Sequence, residues 1–237
     1  MRGCEMKLPP LIRGTLLKRS KRFISEIELV TGEVVLAHCP NTGRMLGCSE
    51  PGRPVYVSSH DNPKRKMAYT WELIQMETSL VGVNTLNTNR IVRKALESSC
   101  ITKFGRYDTI VSEVKITPKT RLDFLLQGQD RANRYIEVKN CTLVESGRAM
   151  FPDAVSLRGQ KHLQELMTLK KAGHNAAVLF LVQRTDAREF SPAEHIDPEY
   201  SRMLALAREA GVDILAYDVK LDTRRIRLNH ELPCVFH

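Results

Sequence analysis

The hydrophobic rhythm of the chain changes partway along it. Up to about Asn84 the apolar residues come in short alternating runs, the period-two pattern of half-buried strands, with polar and turn-forming residues between them. This pattern predicts five strands, at residues 15–18, 23–30, 34–38, 55–58 and 69–77, with Thr31 and Gly32 forming a tight turn between the second and third. Five short strands in one compact segment fit a small Greek-key barrel of the oligonucleotide-binding (OB) type, and an SH3-like barrel produces much the same pattern.

Beyond Asn84 strand and helix patterns alternate. Ile91, Val92, Ala95 and Leu96 recur at helical spacing and predict a helix over 89–98, with Asn89 as its cap. Strands at 109–116, 122–126 and 135–138 follow, separated by Thr117-Pro118-Lys119 and the polar stretch 128–133, and can form a meander. A second helix is predicted over 157–171, where Leu163, Leu166, Met167 and Lys170 lie on adjacent turns, Ser156 caps and Gly173 terminates. The unbroken apolar run 176–182 reads as a fully buried strand. Met203, Leu204, Ala207 and Ala210 mark another helix, and 212–219 a last strand. Helix, three strands, helix, strand is the core order of restriction-endonuclease-like folds. The chain therefore reads as α/β (α+β) in two domains, an OB-like barrel at 1–84 and a nuclease-like domain at 85–237.

Composition adds a partner. With 42% hydrophobic and 27% charged residues, the 237-residue chain can bury a full core. The longest apolar run, 176–182, is too short to cross a bilayer and no segment resembles a secretory signal, so a cytoplasmic protein without a membrane partner is expected. Cys4, Cys39, Cys48, Cys100, Cys141 and Cys234 are scattered without a Cys-x-x-Cys pair, so reduced thiols and no structural zinc are expected. A net charge of +9 favours a polyanionic partner, nucleic acid ahead of an anionic membrane surface. The charge is clustered: Arg13, Lys18, Arg19, Lys21 and Arg22 lie near the start, and Lys64, Arg65 and Lys66 precede Tyr69 and Trp71. Charge beside rings suits nucleic acid, although Trp71 itself reads as core. In Cys39-Pro40-Asn41-Thr42-Gly43-Arg44 the Pro, Asn and Gly enforce a turn, either a plain connection or a place where free amides and Arg44 receive a phosphate.

The candidate chemistry lies in the second domain. Glu137-Val138-Lys139 puts a carboxylate and an ammonium on one face of a strand, and Asp123 sits on the strand before. Asp123 and Glu137 can bind a hard divalent cation, Mg2+ or Mn2+, leaving positions for water and a scissile phosphate, while Lys139 orients that water or stabilises developing charge. Without a cation two carboxylates would repel the phosphodiester they are to cleave. Glu113 can supply a third oxygen. The bland alternative is an exposed Glu137–Lys139 ion pair with Asp123 as a strand-edge charge. His162 reads as solvent-facing or locally satisfied, and Asp153 as a turn or capping residue.

Several of these stretches closely resemble the sugar fermentation stimulation protein A (SfsA) family: Arg121-Leu122-Asp123-Phe124, Tyr135-Ile136-Glu137-Val138-Lys139, Phe151-Pro152-Asp153-Ala154-Val155 and Arg158-Gly159-Gln160-Lys161-His162-Leu163. His38-Cys39-Pro40-Asn41-Thr42-Gly43 matches its N-terminal signature, and Thr70-Trp71-Glu72-Leu73 extends the likeness over nearly the whole chain. The resemblance implies an OB-like domain followed by a PD-(D/E)XK nuclease-like domain, DNA binding, and a link to sugar, particularly maltose, utilisation. Under it Asp123, Glu137 and Lys139 match the Asp and Glu-x-Lys elements, and Gln160 falls on the helix where such folds often place a polar active-site residue. Leu122 stands where the nominal motif has Pro. Because many such nucleases take a carboxylate from the first helix, Glu97 competes with Glu113 as a third metal ligand. Two functions stand, a metal-dependent DNA nuclease and a DNA-binding regulator of low sequence specificity that keeps the fold without cleaving. A barrel serving as a protein-interaction module is a third.

Overall fold

In a computed structural model that describes residues 4–118 and 120–236, every predicted strand and helix is present. Lys119, expected in a turn, lies outside the described residues. The chain opens with β1 (Glu5–Lys7) and then builds the barrel from β2 (Leu11–Ser20), β3 (Ile24–Leu29), β4 (Val34–His38), β5 (Pro54–Ser59) and β6 (Tyr69–Gln75), with β7 (Leu80–Gly82) appended to β6. Antiparallel pairs join β2 to β3 and β5, β3 to β4, and β5 to β6. A short parallel pairing of β4 with β6, Ala37 opposite Tyr69, closes the ring. That closure gives the five-stranded Greek-key barrel of the OB type rather than the SH3-like alternative. The alternation read from the sequence is the reason it closes: Leu16, Ile27, Val35, Val55, Val57 and Ile74 all turn inward around a fully buried Trp71. Trp71 satisfies its indole N–H on the Leu73 carbonyl at 2.9 Å. The turn at Gly32 carries φ +83°, which a residue without Cβ adopts freely.

The second domain runs α1 (Leu86–Glu97), β8 (Thr109–Thr117), β9 (Thr120–Gly128), β10 (Arg131–Cys141), β11 (Leu143–Glu145), β12 (Arg148–Phe151), α2 (Leu157–Lys171), β13 (Asn175–Val182), β14 (Glu189–Pro192), α3 (Pro198–Glu209), β15 (Asp213–Leu221) and β16 (Arg225–Leu232). Its main sheet has the order β1-β16-β15-β13-β10-β9-β8, with the expected meander at one edge and β11-β12-β14 forming a small separate sheet. Helices cover both faces, which explains the unbroken apolar run of β13. Ala177, Leu179 and Leu181 meet α1 through Ile91, Val92 and Ala95, while Val178, Phe180 and Val182 meet Leu163, Leu166, Tyr200 and Leu204 of α2 and α3.

Three expectations change. The first helix begins at Leu86, so Asn89 lies inside it and does not cap it; Asn84 Oδ1 accepts the Leu86 N–H instead, at 3.0 Å. Residues 5–7 do not join the barrel: β1 pairs antiparallel with β16 in the second domain's sheet, Met6 opposite Ile226. That pairing carries the N-terminal segment against α1, and Cys4 and Cys100, expected as reduced thiols, are joined as a disulfide across a Cα–Cα distance of 6.5 Å. No helix among the described residues is long and apolar enough to cross a membrane.

Candidate metal and phosphate site

The site forms where the β9–β10 ladder opens. The two strands pair from Arg134 and Leu126 to Ile136 and Phe124, and beyond that point the side chain of Asp123 takes the place of a backbone partner. Its Oδ2 accepts the Val138 N–H at 2.8 Å, and its Oδ1 accepts the Asn89 side-chain amide from α1 at 2.7 Å. Asp123 is thereby wedged between strands beside Glu137. The Glu137 side chain is 5% exposed and that of Lys139 11%, with Lys139 Nζ 2.7 Å from Glu137 Oε1. The exposed ion pair of the bland reading is therefore a buried one. His162 Nδ1 bonds to the same Oε1, and Arg158 Nε donates to His162 Nε2 at 3.5 Å. Glu137 Oε2 is buried without a hydrogen-bond partner.

This environment drives the two carboxyls apart. Burial, reinforced by the Glu137 charge, pushes Asp123 up to about 6 against the bonds from Val138 and Asn89. Burial works on Glu137 in the same direction, but the Lys139 ammonium and His162 outweigh it and hold Glu137 below the usual carboxylate range. A desolvated carboxylate with an unpartnered oxygen next to a second carboxyl is unfavourable alone and fits a hard cation. The described residues hold no group of three or more His, Cys, Asp or Glu that could bind a metal.

Asp123, Glu137 and Lys139 are brought together; the other three candidates are not. Gln160 Nε2 donates to Asp197 Oδ1 at 3.0 Å, where Asp197 caps α3. Two residues along a helix is about 200° around it, so the inward position belongs to His162 and not Gln160. The sequence carries the signal for this: Gly159, His162, Leu163 and Leu166 form one stripe, and all four are buried. Glu113 has a left-handed backbone, φ +57°, and an exposed side chain 3.6 Å from Arg121. Glu97 pairs with Arg93 at 2.8 Å on the exposed side of α1. The first helix instead contributes the amide of Asn89.

Of the residues expected to contact DNA, Arg13, Lys18, Arg22, Arg44, Lys64 and Lys66 are exposed. Arg19 is a correction. Its Nη2 donates to the carbonyls of Arg22 at 2.7 Å and of Asn41 and Gly43 at 2.8 Å, so it buttresses the 39–44 turn. Asn41 Oδ1 accepts the Gly43 N–H at 2.9 Å, and Asp153 Oδ2 accepts the Met45 N–H at 2.8 Å, docking the turn on the second domain. Asp153 is thus a bridge between domains and not the cap of α2, which is Ser156. A Cβ on Gly43 would stand 3.0 Å from Asn41 Oδ1 and 3.1 Å from Asp153 Oδ2, which is why glycine sits there. Arg19→Ala is expected to cost about 2 kcal/mol, the range for hydrogen bonds to a charged group, and to open the turn to protease cleavage after Arg44. Thermal melting with limited proteolysis checks this, and an unchanged digest would relieve Arg19 of the role. Arg65 donates to Thr70 Oγ1 at 2.9 Å and, with His38, Arg90 and Lys94, lines a basic cleft of about 450 Å³ between the barrel and α1. Burial, and after it the Arg65 charge, lowers the His38 pKa.

Two family models match the chain, an SfsA N-terminal OB domain over residues 17–83 and a sugar fermentation stimulation protein RE domain over residues 86–225. A sugar fermentation stimulation protein homolog of Geotalea daltonii is 46% identical, covering 96% of this chain and 98% of that protein. One of Pelobacter propionicus is 48% identical, covering 97% and 100%. Among solved structures, SfsA of Pyrococcus furiosus in complex with Ca2+ superposes with a TM-score of 0.87 at 26% identity, covering 97% of this chain and 98% of that one.

Proposed function

The chain belongs to the sugar fermentation stimulation protein family, and from that premise we propose a cytoplasmic DNA-binding protein of low sequence specificity whose second domain is a divalent-metal-dependent phosphodiesterase. The observation that carries this reading is the buried Glu137 carboxylate, unpartnered at Oε2, with Asp123 wedged beside it and Lys139 on the same strand face. A protein that only bound DNA would gain nothing from two desolvated carboxyls side by side, and perturbed acids gathered in one place mark chemistry more often than packing. Asp123 and Glu137 would hold Mg2+ or Mn2+, which supplies an activated water and offsets the charge of the phosphodiester. Ca2+, with which the Pyrococcus furiosus protein is in complex, is likewise a hard cation that takes oxygen ligands.

The protein's own residues do the rest. Asn89 and the Val138 N–H hold Asp123 in place, His162 fixes the Glu137 oxygen it bonds, and Lys139 presents a cation to the scissile phosphate. Basic side chains on the barrel bind the backbone without reading sequence. The family's name ties the molecule to sugar fermentation, and we extend that tie to regulation of sugar, particularly maltose, utilisation through DNA.

The test is incubation with supercoiled and single-stranded DNA in Mg2+, Mn2+ or EDTA, comparing wild type with Asp123→Ala. Metal-dependent scission lost in the variant, with DNA retention kept, is the expected result. Retention without scission under every metal condition would leave a regulator built on a nuclease scaffold. Neutralising Lys64, Arg65 and Lys66 together is expected to weaken retention and to flatten the slope of log K against log salt by about 2 to 3, one phosphate contact per charge lost. An unchanged slope, read by anisotropy of a labelled duplex or strand, would move the DNA off this part of the barrel.

A further inference from the structure

We infer that the site takes an unpaired strand of nucleic acid and that the barrel's turn at Asn41–Gly43 is what keeps a duplex out. This rests on the phosphodiesterase reading for its chemistry and on a different observation for its geometry. A cavity of about 390 Å³ lies at the seam between the domains, lined by Thr42 and Gly43 of the barrel, Thr85 of the junction, and Lys139, Asn140 and Arg158 of the second domain. Lys139 lines this cavity and bonds Glu137 Oε1 at 2.7 Å, which sets the cavity against the carboxyl pair. A space of that volume is on the order of 9 Å across, whereas the major groove of B-form DNA is by itself about 12 Å wide and the duplex is wider still. One extended strand fits; two paired strands do not.

The wall does not swing aside. Arg19 holds the Asn41 and Gly43 carbonyls of the turn from behind, Asn41 ties it to itself, the Met45–Asp153 bond ties it to the second domain, and Thr85 Oγ1 donates to the Pro40 carbonyl at 3.0 Å. A strand leaving the cavity past Thr85 meets the exposed Leu86 and then the cleft lined by Arg65, Arg90 and Lys94. A narrow chamber lined by Lys139 and Arg158 and followed by a basic cleft is the layout of a single-strand channel.

The test uses fluorescein-labelled single-stranded DNA, RNA of the same sequence and the blunt DNA duplex, with wild type and Thr42→Trp. Thr42 is exposed, so the indole fills the chamber without entering a core. Anisotropy in EDTA reads binding without cleavage, and gels in Mg2+ read cleavage. The expected result is strand binding about tenfold tighter than duplex binding, and a loss of about tenfold in strand binding in Thr42→Trp with duplex binding unmoved. RNA bound as well as DNA supports an unpaired strand of either sugar. Equal binding of strand and duplex, or a strand affinity indifferent to Thr42→Trp, overturns the inference. The two readings fail separately: preference in EDTA with no cutting in Mg2+ removes the phosphodiesterase and keeps the channel, while a duplex cut as fast as a strand does the reverse.

Discussion

Asp123→Asn is expected to cut metal-dependent scission by about 10³-fold and, at neutral pH, to raise the melting temperature of the metal-free protein. Stability and activity move in opposite directions because the carboxylate is held where it is electrostatically unfavourable. Its pKa is pushed from 3.8 to about 6 by burial and by Glu137. The folded state therefore binds this proton more tightly than the unfolded chain does. Stability falls as pH rises from about 4 to about 6 and stays low above, by up to about 3 kcal/mol. The amide is neutral and keeps both contacts: its oxygen accepts the Val138 N–H, and its NH2 donates to the Asn89 oxygen once that amide turns over. Melting in EDTA across this pH range should show variant and wild type coinciding near pH 4 and diverging to a plateau above 6. Added Mg2+ should then raise the wild type alone, by mass action on the folded state. A variant less stable than wild type at pH 7.5 would mean that the carboxylate is a structural anchor and would remove the main support for a metal there.

Much of this site was legible because strands carry it. Asp123, Glu137 and Lys139 sit on adjacent strands, where a spacing of two residues sends side chains to the same face whatever the precise register. The helix at 157–171 was readable to the residue because its ends are local: Ser156 Oγ accepts the Gly159 N–H, and Gly173 adopts φ +88°. What failed depended on phase or on distant partners. Gln160 and His162 are both polar and two positions apart, so only the helix's rotation on the sheet, set by Leu163 and Leu166, selects between them. Asn89 looks like a cap until the helix is seen to start a turn earlier. Arg19 counts as free charge in any sequence tally, since beside the nearby Arg22 carbonyl it binds those of Asn41 and Gly43, in a turn more than twenty residues away. The β1–β16 pairing joins segments some 220 residues apart, and nothing local in Glu5–Lys7 announces it.

Glu72→Leu is expected to destabilise the chain by at least about 2 kcal/mol and to impair the site without touching it. Glu72 is 5% exposed on β6. Its Oε1 accepts Ser58 Oγ at 2.8 Å, and its Oε2 accepts the side-chain amides of Asn84 at 2.8 Å and Asn87 at 3.1 Å. One carboxylate thus fastens β5 and β6 of the barrel to the first turn of α1. Leucine fills the volume and leaves the amides of Asn84 and Asn87 without their acceptor, each costing about 1–3 kcal/mol, while Ser58 Oγ keeps His60 Nε2 at 3.2 Å. At about 2–4 °C per kcal/mol for a chain of this size, the melting temperature should drop by at least about 4 °C. The same helix carries Asn89, whose amide holds Asp123, so loosening its start relaxes the wedge that separates β9 from β10. Scission measured well below the melting temperature should therefore fall, by about tenfold, the scale of effect when supporting contacts around a metal ligand are lost. Glu72→Gln keeps one acceptor and should lie between the two. A variant that melts early but cleaves at the wild-type rate would show that the barrel holds α1 upright while the site keeps its own geometry.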